Sequence, residues 1–354
     1  MGTIRVAAAQ PYDVRIDRSL LNTCGSFLRD TAQTRHFALV SDDTVYSLYG
    51  EALLQTLHAA GCTAEVFTFP HGEASKCSDT LLRLYDFLST HGITRTDCLL
   101  ALGGGVTGDL TGFAAATYLR GLPYIQIPTT LLAQIDSSVG GKTAINLPTG
   151  KNLVGAFKQP CLVVCDPDVL VTLPPEILAD GIAEAIKYGM IRDSALFDLL
   201  ASHTLAEIAP CLDEIITRCV SCKRDIVEAD EFDTGERMLL NFGHTLGHAI
   251  ERHSAFAYTH GQAVAAGMCM LSARTAPKAV TAQLCDCVRR YGLPTDYDAP
   301  MPALTALCGR DKKCAGDSIT YIACEEIGRG ERITCPLAAF ESRMLNGKET
   351  SHGL

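Results

Sequence analysis

Short apolar runs alternate with amphipathic segments through the first half of this chain, and that alternation restricts the fold more than any other feature. HFALVSD from His36, AEVFTFP from Ala64, CLLALGG from Cys98, YIQIPTT from Tyr124 and CLVVCDP from Cys161 are apolar or β-branched and bounded by turn residues, as strands are. Between them, Thr44 to Ala60 carries Val45, Leu48, Leu53 and Leu57 at helical spacing and stops at Gly61. Ser75 to His91 reads as a second helix, opening on a capping serine and stopping at Gly92. Strands that alternate with helices predict a mostly parallel sheet covered on both faces.

After Pro167 the strand signals fade. Helix-period runs follow at Glu176 to Ile191, Cys211 to Ala229, Glu236 to Arg252 and Gly261 to Ala276, and a short strand pair returns near Ser318 to Cys324 and Glu331 to Pro336. A boundary near 170 therefore divides an α/β domain, residues 1–170, from a helical domain, residues 171–354.

The chain has 354 residues, enough for about two domains. Its formal charge of -10 argues against nucleic acid or an anionic membrane as partner, since both demand excess Lys and Arg. An acidic ligand must then be met by a local basic cluster. The 16 cysteines lack the close spacing of a secreted scaffold, and no apolar run is long enough to span a membrane, so a reducing cytoplasm is expected. Cys219 and Cys222 form a C-x-x-C inside a helical run and read as helix packing.

Several segments can carry chemistry. Gly103, Gly104 and Gly105 follow the apolar run CLLAL and lead through Val106 to Asp109 and a helix, a strand–turn–helix arrangement that suits a pyrophosphate. Pro128 to Asn152 is dense in small, hydroxyl and amide residues, with Asp136, Lys142, Lys151 and Asn152 among them, and reads as a ligand loop. Glu184 and Lys187 share a helix face, as do His244 and His248. Glu184, His244 and His260 resemble a three-ligand metal set, the catalytic kind that leaves a position open. Spacing alone also permits His248. Lys223, Arg237, Lys312 and Lys313 supply the basic charge an anionic ligand needs, while His203 and His253 read as surface residues.

GGGVTGDLTGFAAATYLRG, IPTTLLAQIDSSVGGKTAIN, GKNLVGAF, GIAEAIKYG, LLNFGHTLGHAIE and HGQAVAAGM, in this order, resemble the 3-dehydroquinate synthase family over nearly the whole chain. The resemblance implies a Rossmann-like NAD-binding domain, a helical domain holding zinc or cobalt, an active site between them, and a cytoplasmic homodimer. It implies a lyase of the shikimate pathway, serving chorismate and aromatic amino acid biosynthesis. The family converts 3-deoxy-arabino-heptulosonate 7-phosphate to 3-dehydroquinate and phosphate, with NAD reduced and regenerated in each turnover.

Carried over residue by residue, the resemblance makes Glu184, His244 and His260 the metal ligands and moves His248 to the substrate and proton-transfer set. Lys142, Asn152 and Lys187 join His248 around the phosphate. Lys223, Arg237 and one of Lys312 and Lys313 face the carboxylate or nearby hydroxyls. Asp136 and Asn241 also match the substrate pocket, and Arg120 matches a residue reaching the phosphate from the neighbouring subunit. The NAD positions are Asp42, Glu73, Lys76, Gly104, Gly105, Val106, Asp109, Thr129, Thr130 and Lys151, with Thr172 and Leu173 beside them. Glu176-Ile177 departs from the Arg-Glu common in the family. Alternatives on the same fold are a 2-deoxy-scyllo-inosose or 2-epi-5-epi-valiolone synthase, whose substrates lack the carboxylate, and a metal-dependent glycerol or alcohol dehydrogenase that releases NADH. The basic cluster favours the dehydroquinate reading.

Overall fold

The structure is a computed structural model describing residues 2–308, 314–315 and 318–346. The chain divides into two compact units: Met1–Pro174 with Cys219–Phe232, and Pro175–Arg218 with Asp233–Leu354.

The first unit is built on strands β1 (Gly2–Val6), β2 (Tyr12–Ile16), β3 (His36–Asp42), β4 (Thr63–Phe69), β5 (Cys98–Gly103), β6 (Tyr124–Pro128), β7 (Lys142–Leu147), β8 (Gly150–Phe157) and β9 (Leu162–Cys165). Seven of them form one sheet in the order β1-β2-β9-β6-β5-β3-β4, parallel throughout except for the antiparallel edge strand β1. Its central strands are buried along their full length, which is why β5 and β9 read as unbroken apolar runs and β6 as one interrupted only by the buried Gln126, whereas β2 alternates. Helices α1 (Gly25–Ala32), α2 (Asp43–Val45), α3 (Glu51–Ala59), α4 (Ser78–Thr90) and α5 (Gly105–Thr117) connect the strands. Leu81, Leu84 and Leu88 of α4 and Leu110 and Phe113 of α5 meet Val40, Phe67 and Leu99 of the sheet in one core.

Local details differ from the sequence reading. Thr44 to Ala60 is not one regular helix: a π-type turn at Tyr46–Gly50 separates α2 from α3, with the bare Gly50 lying under the Tyr46 ring. Ser75 does not cap α4. It closes a 3-10 turn, Glu73–Ser75, and its hydroxyl donates to the Pro70 carbonyl at 2.5 Å. The polar segment after β6 is not an irregular loop either; beyond a turn at Ala133–Ser137 it folds into the antiparallel hairpin β7–β8.

The second unit contains α6 (Pro175–Ile191), α7 (Ser194–Ala201), the start of α8 (Leu212–Ala229), α9 (His244–His253), α10 (His260–Thr275), α11 (Lys278–Arg290), α12 (Met301–Cys308) and α13 (Leu337–Asn346). A small sheet, β10 (Cys314–Ala315), β11 (Ser318–Glu326) and β12 (Arg329–Pro336), completes it. Helix α6 opens on Pro175, where the missing N–H costs nothing, and is buried from Gly181 to Ile191. The run Glu236 to Arg252 is two elements, a 3-10 turn at Glu236–Asn241 and then α9. The break is Gly243, at φ 79, which turns the chain so that His244 begins the helix.

Candidate active site

In the second unit, Glu184 lies in the buried middle of α6, while His244 and His260 are the first residues of α9 and α10. Thr259 sets the entry to α10 through a capping box with Gln262, and its hydroxyl donates to Asp180 Oδ1 at 2.6 Å. The donor atoms of Glu184, His244 and His260 lie within 4.8 Å of one another. Glu184 Oε1 stands 3.3 Å from His244 Nε2 and 3.2 Å from His260 Nε2. A tetrahedral ion with bonds of roughly 2.0–2.1 Å holds its donors about 3.3 Å apart, so the spacing fits zinc or cobalt.

The far sides of both imidazoles are also engaged. His244 Nδ1 is 3.1 Å from the Phe242 carbonyl, and His260 Nδ1 is 3.7 Å from the buried Glu251 carboxylate. Such partners orient a ligating ring and leave Nε2 for a metal. Glu251 was not recognised in the sequence. The signal was present, seven residues after His244 on the same helix face. His248 stands beside the triad, its ring centroid 5.5 Å from His244 and 6.4 Å from His260.

Lys187, one turn along α6, forms a buried ion pair with Glu184. Burial alone would push the Glu184 carboxyl up, but Lys187 and His244 hold it well below the usual carboxylate range. Burial drives His244 down to about 4; it opposes the proton on His260 too, but Glu184 and Glu251 outweigh it and raise that ring to about 10. Arg237 is buried on the 3-10 turn, and Asn241 at its end borders a cavity of about 20 Å³ beside Met238 and Thr320. Lys312 and Lys313 lie outside the described residues.

In the first unit, β4 and β5 leave β3 on opposite sides, so the sheet has a switch point between β3 and β5. Ligands of open α/β sheets bind at the carboxyl ends of strands beside such a point. Asp42 ends β3 there, and Gly104 precedes α5 at the end of β5. A Cβ on Gly104 would come 3.1 Å from Thr130 Cγ2, so glycine keeps the backbone open in front of the α5 N-terminus, where Gly105 and Val106 offer N–H groups to an anion. Thr129 beyond β6 is buried, and its hydroxyl has no hydrogen-bond partner among the described residues. These features fit a dinucleotide pyrophosphate.

Lys76 binds this region together, donating to Asp109 Oδ2 at 2.5 Å and to Asn152 Oδ1 at 2.6 Å. Burial raises the Asp109 carboxyl, and Lys76 counters it. Asn146, absent from the sequence reading, donates to Glu73 at 2.7 Å and accepts from the Asn152 N–H at 2.9 Å. Asn152 holds φ 54, which asparagine tolerates well. Asp136 forms an ion pair with Lys223, which α8 contributes to this unit. Lys142 opens β7 and is exposed, as are Lys151 and Arg120; Arg120 closes a 3-10 turn at φ 68. Thr172 meets the Tyr49 hydroxyl at 2.6 Å, and Leu173 follows it. Glu176, the family departure, is exposed in the first turn of α6.

Residues 66–180 match the family model for the 3-dehydroquinate synthase N-terminal domain, and residues 181–314 match that for its C-terminal domain. The 3-dehydroquinate synthase of Clostridium kluyveri is 44% identical over 325 residues, covering 90% of each chain. The chain belongs to the 3-dehydroquinate synthase family. Among solved structures, 2-epi-5-epi-valiolone synthase from Streptomyces hygroscopicus subsp. jinggangensis, with NAD+ and Zn2+ bound, matches with a TM-score of 0.86 at 27% identity, covering 98% of each chain. A 2-deoxy-scyllo-inosose synthase complexed with carbaglucose-6-phosphate, NAD+ and Co2+ matches with a TM-score of 0.87 at 23% identity, over 98% of this chain and 100% of that one, and so shares the fold. Among the described residues, no helix is long and apolar enough to cross a membrane.

Proposed function

We propose that this member of the 3-dehydroquinate synthase family converts 3-deoxy-arabino-heptulosonate 7-phosphate to 3-dehydroquinate and phosphate, with NAD and one divalent zinc or cobalt ion. The observation that carries this reading is the Glu184–His244–His260 cluster, spaced for a metal, in a chain of this family. When bound, NAD takes and returns a hydride while the metal polarises the hydroxyl undergoing oxidation.

The protein's own residues hold and orient the substrate. Lys142, Asn152, Lys187 and His248 hold the phosphate as it leaves, and His248 carries the proton. Lys223, Arg237 and Lys312 or Lys313 meet the carboxylate or nearby hydroxyls, with Asp136 and Asn241 fixing the remaining hydroxyls. Asp136 keeps the Lys223 ammonium in place before substrate arrives. The first unit binds NAD through Asp42, Glu73, Lys76, Gly104 to Val106, Asp109, Thr129, Thr130 and Lys151, with Thr172 and Leu173 alongside; the second holds the metal.

The active protein is a cytoplasmic homodimer with Arg120 reaching the partner's substrate. Leu153, Val154 and Phe157 expose an apolar stretch of β8, as an interface strand does, and the described cysteines are free thiols.

The test follows phosphate release and NADH absorbance together, with catalytic NAD, divalent metal and the heptulosonate phosphate. Many turnovers of phosphate without net NADH are expected. NADH accumulating from an alcohol, without phosphate, would instead make the protein a dehydrogenase. Glu184→Ala and His260→Ala should lose metal and activity together, and full metal occupancy in both would overturn the ligand set.

A further inference from the structure

The second unit carries a cavity of about 360 Å³ that none of the assigned residues uses. Arg192 at the end of α6, Gly235 and Glu236 of the 3-10 turn, and Arg329 and Arg332 of the β11–β12 hairpin line it. Its size suits a small metabolite. Three arginines and one glutamate are among its lining residues, in a chain whose formal charge is -10.

Arg192 is 3.5 Å from Glu236, and Arg329 is 3.3 Å from Glu331. The Arg332 side chain makes no hydrogen bond or ion pair among the described residues, while its backbone sits in the β12 ladder opposite Ile322. Its Nη1 lies 3.5 Å from where a Cβ on Gly235 would be, so the guanidinium rests against bare backbone at the cavity wall. One effect opposes an anion: α6 ends at the cavity, and a helix C-terminus carries about half a negative charge. Its carbonyls are partly occupied, Met190 O by the Gly328 N–H at 2.9 Å and Tyr188 O by the Arg192 N–H at 3.0 Å. With Glu236 and Glu331 set against Arg192 and Arg329, the unmatched charge of Arg332 still outweighs the remainder.

We propose that this cavity is a second oxyanion site, taking a small molecule that carries phosphate or carboxylate groups. The unpaired Arg332 offers its planar fork to two oxygens, and Arg192 and Arg329 turn from their carboxylates to flank the ligand.

The test is calorimetric titration of the full-length protein with inorganic pyrophosphate and, separately, with citrate. Arg192→Ala/Arg332→Ala should weaken binding of the preferred probe at least tenfold, whereas Lys142→Ala, altered at the proposed substrate site, should retain that binding event. Preference for pyrophosphate marks a phosphate ligand, and preference for citrate a carboxylate one. Parent affinity in the double variant, loss of all binding in Lys142→Ala, or no binding of either probe would overturn the proposal. Should the double variant fail to fold, Arg332→Lys serves instead: it keeps the charge and loses the fork, and binding at least threefold weaker is expected, with parent affinity counting against the site.

Discussion

Glu251 shows how a single buried carboxylate can matter without touching substrate. It faces His260 Nδ1 at 3.7 Å, so it fixes which nitrogen of that ring points toward Glu184. Glu251→Gln should weaken zinc affinity by roughly 10–100-fold, read by competition with a chromophoric chelator; unchanged affinity would make the contact incidental. Sequence spacing could not separate His244 from His248, because both project from one face of α9. The family resemblance separates the two, and in the structure it is His244 whose Nε2 stands 3.3 Å from Glu184 Oε1. A second residue-scale prediction concerns Cys285 on α11. A hydrogen bond from the Cys269 thiol lowers Cys285 to about 7, while burial lifts its neighbour Cys287 to about 12. The thiolate is the reacting form, so iodoacetamide labelling of Cys285 should rise with pH and reach half its maximum near pH 7, with Cys287 still unlabelled. Equal labelling of the two, followed by peptide mass spectrometry, would refute this.

At the scale of elements, α9 and α10 meet backbone against backbone. A Cβ on Gly243 would fall within the Met268 side chain and 2.8 Å from Val264 O, and one on Gly267 would come 2.8 Å from the Gly247 N–H. Gly243→Ala adds a left-handed strain of about 1–2 kcal/mol and overpacking of about 1–3 kcal/mol. We expect a loss of roughly 2–5 kcal/mol in denaturant unfolding, together with reduced metal occupancy, because the same contact seats His244. A loss below about 1 kcal/mol would show that the helices separate easily. The pattern from Glu236 to Arg252 gave no sign of a break there, since a 3-10 turn and an α-helix both repeat apolar residues every three to four positions. The hairpin β7–β8 was hidden for another reason. Apart from the buried Ile145, its residues are small, polar or exposed, and three consecutive residues of β7 are buried, so the strand alternation that marks a half-buried sheet is missing. The buried strands β5, β6 and β9 carried their signal plainly, being apolar along their length but for Gln126 in β6.

On the scale of the whole molecule, the α/β unit is discontinuous in sequence. Residues from Cys219 to Phe232 complete it: Val220, Ile226 and Val227 are buried, Lys223 pairs with Asp136, and Glu228 and Glu231 accept the Ala7 and Ala9 N–H groups at 2.6 and 2.8 Å. Helical periodicity alone assigned this stretch to the second domain, since periodicity reports a helix and not its packing partner. Residues 1–174 expressed alone should therefore unfold at a lower denaturant concentration than the full chain's first transition and bind an apolar dye; equal stability would show that the later segment is dispensable. The same discontinuity shapes biosynthesis. When Pro174 leaves the ribosome the sheet is complete, but the last segment of its unit follows only some sixty residues later. At ordinary translation speeds that is a wait of roughly 3 to 12 s, during which the apolar surface that buries Val220, Ile226 and Val227 stays open to chaperones.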